Sequence, residues 1–176
     1  MLVWFHGGGW FFGHGGFSEF GPEHFLDHDV VLVTGNYRLG PLGFLSTEDQ
    51  NASGNFGLKD QMTILEWVQD NIEKFGGDPR SVTIFGESAG GASVNYHMVS
   101  PLSKGLFHRA ISQSGTLMSV WADPAKKGVA KMRAIRLADM MGCPISDTSI
   151  KEMIKCLQDV PAEKITIAQM KFYVSF

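Results

Sequence analysis

Ser88 stands in the run Gly86-Glu87-Ser88-Ala89-Gly90-Gly91, directly after the apolar residues Val82-Thr83-Ile84-Phe85. Glycine two places to either side of a serine, at a strand-to-helix junction, lifts the hydroxyl out of the backbone on a sharp turn. Such a turn is strained, so the flanking positions must carry nothing that collides with it. The chemistry this permits is attack of the serine oxygen on an acyl carbon. A hydroxyl is a weak nucleophile until a base takes its proton and dipoles receive the developing negative charge. His6-Gly7-Gly8-Gly9-Trp10, which follows the apolar run 2–5, is a candidate source of those dipoles. Its glycines let the N–H groups of Gly8 and Gly9 turn toward a substrate oxygen, and the N–H of Ala89 adds a third donor. Each donor of this kind contributes about 2.7–4 kcal/mol to the transition state.

Glycine-rich loops also serve ordinary turns and phosphate sites. Residues 7–16 lack the Lys-Ser/Thr ending of a phosphate loop and contain no G-x-G-x-x-G. The base is harder to place. Where a serine on such a turn precedes its partners, the order is Ser, then Asp or Glu, then His. Only His97 and His108 follow Ser88, and no Asp or Glu lies between Ala89 and His108. Both histidines therefore read as structural. His24 and His28 are four apart, as metal ligands on a helix often are. No third ligand accompanies them, so they read as part of a solvated loop.

The elements that must hold Ser88 follow from the apolar pattern. Strands are expected at 2–5, 30–34, 82–86 and 110–113, with a glycine-rich loop at 6–16 and a polar loop at about 45–56. Leu58, Met62, Leu65, Val68 and Ile72 recur at helical spacing, giving a helix over 59–74 that Gly76-Gly77-Asp78-Pro79 stops. Further helices are expected over 89–98, 125–141 and 149–157. Strands alternating with helices imply a mainly parallel sheet covered by helices on both faces.

Composition fits that class. The chain has 176 residues, 44% of them apolar, and a net charge of −3, which gives no reason to expect nucleic acid or an anionic membrane as partner. The 21 glycines exceed the usual share of about 7%, and many cluster at 7–16 and 86–91. No apolar run approaches the roughly 20 residues of a membrane span. The first residues already read as a buried strand, and Met170 to Phe176 form an apolar stretch with no terminating signal. No repeat or linker is visible. The expectation is one domain over 1–176, incomplete at both ends.

Together these segments resemble the type-B carboxylesterase/lipase family, which includes cholinesterases and insect carboxylesterases. The matching blocks are HGGGW at 6–10, NYRLGPLGFL at 36–45, GNFGLKDQ at 54–61, FGGDP at 75–79, SVTIFGESAGG at 81–91 and SQSG at 112–115. They cover nearly all of residues 1–115, and NASGNFGLKDQ resembles the insect members. The resemblance implies an α/β-hydrolase fold and cleavage of small-molecule or lipid-like carboxylic esters through an acyl-serine intermediate, without a cofactor. Carried over, Ser88 is the nucleophile, and Gly8, Gly9 and Ala89 form the oxyanion hole. Glu87 and Ser114 fall where the family keeps polar residues near its catalytic histidine. Trp10, Phe11 and Phe12 line an apolar substrate pocket or serve as core. The family's acid and histidine lie beyond position 176, so these 176 residues alone are expected to have almost no turnover.

Cys143 and Cys156 are the only cysteines. In a cytosolic protein they would read as unrelated thiols, whereas the resemblance implies a disulfide between them. Asn51-Ala52-Ser53 is a glycosylation sequon in a polar loop. Sequon and cysteines together point to an extracellular or secretory-pathway protein, with a signal peptide in the segment before residue 1. Two rival functions remain: a non-catalytic cholinesterase-like adhesion or binding module, and a protein that sequesters esters by acylating and turning over slowly.

Overall fold

A computed structural model describes residues 1–122, 126–145 and 150–173. In chain order the elements are β1 (Leu2–Phe5), α1 (Glu23–Leu26), β2 (Leu32–Thr34), α2 (Gly40–Phe44), α3 (Phe56–Asn71), β3 (Thr83–Glu87), α4 (Ala89–Val99), β4 (Arg109–Gln113), α5 (Val129–Met140), α6 (Ile150–Asp159) and α7 (Ala162–Tyr173). Short 3-10 turns at Ile72–Phe75 and Pro101–Ser103 follow α3 and α4. The chain divides into two compact units, Met1–Tyr37 with Leu58–Asp123, and Arg38–Gly57 with Pro124–Phe176.

In the first unit the strands form a parallel sheet in the order β2-β1-β3-β4. The register sets Val3 beside Ile84, Trp4 beside Phe85 and Phe5 beside Gly86. Alternation along a strand then sends Val3, Phe5 and Ile84 to one face and Trp4 and Phe85 to the other. The first face buries these residues against Leu65, Val68 and Ile72 of the α3 segment and Val94 of α4. On the second face Trp4 and Phe85 pack at 4.8 Å, with Phe20 5.4 Å from Trp4 and Phe25 of α1 5.8 Å from Phe85. Full burial of a side chain such as Leu65 or Ile84 contributes about 1.5–3 kcal/mol. The expected parallel sheet with helices on both faces is present.

Boundaries moved for identifiable reasons. β2 begins at Leu32 rather than at 30, because the Val30 N–H is committed to the His28 carbonyl at 2.8 Å. α3 begins at Phe56, and its end tightens into the 3-10 turn before Gly76, whose φ of 80° closes it. The helix expected from 125 starts at Val129 instead, after Gly128 with φ 91°. Its start is set by a remote residue: the Glu48 carboxylate accepts the N–H groups of Gly128 at 2.7 Å and Ala130 at 3.1 Å. Those bonds, the one from Gly128 above all, hold the Glu48 carboxyl below its ordinary range. Residue 125, like 149 at the head of the next expected helix, lies outside the described residues.

α7 had no counterpart among the expected helices, and its last turn takes up part of the apolar stretch beginning at Met170. The second unit has a core of its own: Ala134, Leu137 and Ala138 of α5, Ile150, Met153 and Leu157 of α6, and Ile165 and Ala168 of α7. Gly142, with φ 74°, ends the α5 segment, and the Cys143 N–H returns to the Ala138 carbonyl at 2.9 Å. This turn presents Cys143 to Cys156 of α6, and the two form a disulfide with Cα atoms 5.8 Å apart.

A cross-link at a sequence separation of 13 restrains the unfolded chain by about 3 kcal/mol in the loop-entropy picture. Replacing both cysteines by serine is therefore expected to lower the urea midpoint by an equivalent amount. An unchanged midpoint would mean that α5 and α6 are held together without it.

Candidate active site

β3 delivers Ser88 to its position and α4 carries the chain away. The turn between them gives Ser88 φ 54° and ψ −119°, a left-handed conformation for a residue with a Cβ. Strain of this kind costs about 1–3 kcal/mol and persists only where the surroundings enforce it. Two hydrogen bonds do so here. The Ser88 N–H donates to the Gln113 carbonyl at 2.8 Å, and the Ser88 carbonyl accepts from Ala92 N–H at 3.0 Å. The Ser88 hydroxyl does not cap α4.

Glycines make the turn sterically possible. A Cβ on Gly86 would lie 2.5 Å from the Gly90 carbonyl carbon and 2.7 Å from the Phe5 oxygen. A Cβ on Gly90 would overlap the Phe5 carbonyl, and one on Gly91 would lie 2.7 Å from the Gln113 oxygen. The first turn of α4 thus rests on the backbones of β1 and β4 with no side chain between.

The loop after β1 meets this turn. A Cβ at Gly7 would be 2.8 Å from the Glu87 carbonyl and 3.2 Å from Ser88 Cβ. Gly8, Gly9 and Trp10 follow with φ of 98°, 61° and 61°, and the Gly8 carbonyl accepts from the N–H groups of Phe11 and Phe12. Ser114, with φ 53°, sits between Gln113, which accepts from Ser88, and Gly115, where a Cβ would overlap the Ser88 carbonyl. The fold therefore gathers the loop bearing Gly8 and Gly9, the Glu87-Ser88-Ala89 turn and Ser114 at the carboxyl ends of β1, β3 and β4. Glu87 and Ser114 are exposed, Ser88 is half-buried and Ala89 is buried. Trp10 is half-buried, while Phe11 and Phe12 are 37% and 65% exposed, which removes these two from the core.

The remaining candidates lie elsewhere. Asn51 is exposed in the turn closed by the Asp49–Ala52 bridge, and Cys143 and Cys156 are in the disulfide; all three belong to the second unit. His24 and His28 are exposed, and among the described residues no group of three or more His, Cys, Asp or Glu could hold a metal ion.

All six histidines are described, and the two that are buried are both engaged in holding backbone and side chains in place. His6 donates from Nδ1 to the Gly7 carbonyl at 2.8 Å and stacks on Tyr37 at 4.4 Å, whose hydroxyl donates to the His6 carbonyl at 2.7 Å. Burial pulls the His6 imidazole below its ordinary pKa and pushes the Tyr37 phenol well above its own. His97 lies on α4, where its Nε2–H donates to Gln61 Oε1 at 3.0 Å and its Nδ1 accepts from the Ser103 hydroxyl at 2.8 Å. With both ring nitrogens committed, it is not available to Ser88. Burial lowers its pKa to about 4. His108 is exposed, and its Nδ1 accepts from Val82 N–H at 3.3 Å.

Sequence reasoning missed Gln61 and Ser93. The Ser93 hydroxyl donates to the Ala89 carbonyl at 2.8 Å and accepts from Trp10 Nε1–H at 2.9 Å. A serine four residues after the start of a helix can always back-bond in this way, but the Trp10 partner is 83 positions distant.

The profile of the Carboxylesterase family matches residues 1–176. Juvenile hormone esterase of Tribolium castaneum is 51% identical over 165 residues, which are 94% of this chain and 28% of that protein. Esterase E4 of Myzus persicae is 48% identical over 98% of this chain and 30% of its own length. The crystal structure of juvenile hormone esterase from Manduca sexta with OTFP covalently attached superposes with a TM-score of 0.88 at 40% identity, covering 95% of this chain and 31% of that one. The chain thus spans less than a third of the length of these relatives.

Two outcomes follow from the packing. Gly90→Ala, by driving a methyl group into the Phe5 carbonyl, is expected to destabilise the first unit by about 1–3 kcal/mol in urea unfolding; an unchanged midpoint would show that α4 can lift off β1. For His97, the unfolded chain protonates near 6.5 and the folded chain only near 4. The unfolded state binds the extra proton between these values, so stability is full above 6.5 and falls as pH drops toward 4. Unfolding curves for His97→Asn should lack that part of the acid dependence.

Proposed function

This chain belongs to the carboxylesterase family and has its α/β-hydrolase fold, and on that premise we propose that it carries the nucleophile half of a serine esterase site for carboxylic esters. Ser88 Oγ attacks the ester carbonyl carbon as a base removes its proton. The carbonyl oxygen becomes an oxyanion held by the N–H groups of Gly8, Gly9 and Ala89. Collapse of the tetrahedral intermediate breaks the bond to the alcohol oxygen, which leaves with the proton from the base. Water then attacks the acyl-serine, releasing the acid and restoring the hydroxyl. Nothing in these steps requires a metal or cofactor. Glu87 and Ser114 sit beside the nucleophile, where they can orient the base.

The observation that carries this reading is the strained Ser88, with φ 54° and its hydroxyl not used as a cap, beside a glycine loop so near that a Cβ on Gly7 would lie 3.2 Å from Ser88 Cβ. Substrates are small or lipid-like esters. The observed disulfide and the exposed Asn51 support export through an oxidising compartment, with Asn51 a glycosylation site.

His97, the histidine on the helix that follows Ser88, has both ring nitrogens committed, and on this reading polypeptide 1–176 by itself does not turn over. Loss of the base costs about 10⁶-fold in kcat in a comparable serine hydrolase. Purified 1–176 is expected to show no serine-dependent hydrolysis of a p-nitrophenyl ester. In the full-length protein a fluorophosphonate should label Ser88, and Ser88→Ala should abolish both labelling and hydrolysis. Robust activity of 1–176 that vanishes in Ser88→Ala would sink the claim about the base. A full-length protein that no fluorophosphonate labels would instead favour a non-catalytic binding module.

A further inference from the structure

Gly8, Gly9 and Trp10 form three successive left-handed residues, with φ of 98°, 61° and 61°. Glycine adopts this region freely, whereas for a bulky aromatic residue it is strained. A strained residue keeps its conformation only where contacts over-determine it, and the contacts of Trp10 are specific. Its Nε1–H donates to Ser93 Oγ at 2.9 Å, and its ring lies 5.8 Å from that of Trp121 and 6.4 Å from that of Tyr96.

Ser93 is fully buried. Its hydroxyl donates to the Ala89 carbonyl at 2.8 Å and accepts a second N–H, from Gln61 Nε2 at 3.3 Å. A hydroxyl has one hydrogen and two lone pairs, so Ser93 is saturated. Beyond it, Gln61 Oε1 accepts from His97, and His97 accepts from Ser103. A buried polar chain therefore runs from α3 and α4 outward and ends on the indole of the loop that faces Ser88. Satisfied networks of this sort rigidify what they join.

We propose that Trp10 is a positioning residue for the oxyanion loop. Through Ser93, its indole N–H holds Gly8-Gly9-Trp10 in the left-handed form that presents the loop's N–H groups to the acyl oxygen. The same hydroxyl grips the carbonyl of Ala89, the residue whose N–H is the third donor. One buried oxygen thereby sets the spacing between the two halves of the oxyanion hole. The inference rests on the serine esterase reading given above.

Donors aimed at an oxyanion act in the transition state, so disturbing them lowers kcat and leaves substrate binding nearly unchanged. A misplacement of about 1 Å costs on the order of 10²-fold. In the full-length protein, Trp10→Phe, which keeps a ring but loses the N–H, is expected to lower kcat about 10- to 100-fold with KM within about twofold. Affinity for a trifluoromethyl ketone, which forms a tetrahedral adduct on the serine, should fall by the same factor as kcat/KM. Ser93→Ala should show the same split, and the double variant should lose no more than the more impaired single one, because the two residues act through one bond. Wild-type kcat in Trp10→Phe, a rise in KM alone, or fully additive losses would each overturn the proposal. If Ser93→Ala does not fold, Trp10→Phe with the ketone decides the matter by itself. Ser88→Ala separates the two readings: a dead Ser88→Ala with a normal Trp10→Phe defeats only the positioning role, while an active Ser88→Ala defeats the esterase reading itself.

Discussion

The contact between the Phe5 carbonyl and Gly90 is the constraint on which the site depends. It brings the first turn of α4 against the end of β1 with no side chain intervening, and Gly86 meets the same pair of backbones from β3. Because Phe5 pairs with Gly86 in the sheet, the loop that begins at His6 leaves β1 level with the turn that raises Ser88. The distance between loop and serine is therefore set by backbone thickness, which is more reproducible than any side-chain packing. The core of Val3, Phe5, Ile84, Leu65, Val68, Ile72 and Val94 keeps that contact closed from beneath.

Strain gathers at the same edge. Trp10, Ser88 and Ser114 are non-glycine residues with positive φ, Ser88 and Ser114 directly after β3 and β4 and Trp10 in the loop after β1, while Glu48 and Asn55 share the property outside this edge. Parallel strands that end together leave a crevice at their carboxyl ends, where ligands of open α/β sheets bind. The hydrogen bonds that hold the strained residues come from the neighbouring strand end or the helix: Gln113 holds Ser88, and Ser93 holds Trp10. The two buried histidines, His6 and His97, are kept neutral by burial and support loop and helix from below.

Much of this was legible in the chain. The strands around 82–86 and 110–113 and the helix from 89 follow from local periodicity, and the glycine pattern about Ser88 announces the turn. The start of α5 was not legible, because the Glu48 carboxylate, 80 positions before Gly128, takes the N–H groups of Gly128 and Ala130. α7 was not among the expected helices, although its Ile165 and Ala168 join the core of its unit. Ser93 and Gln61 look like ordinary polar positions on helices until the fold sets Trp10 beside them.

The amino-acid sequence by itself determined which residue types are on offer: a serine between glycines at a strand end and a glycine loop after another strand. These are properties of residue type and order, and local sterics is enough to read them. Only the tertiary structure decided that the two glycine segments meet, that Cys143 pairs with Cys156, and that Trp10 bears its strain in exchange for a bond to Ser93. Each of those depends on groups far apart along the chain being brought within a few ångströms. No local preference encodes that, because it arises from the packing of the sheet against its helices.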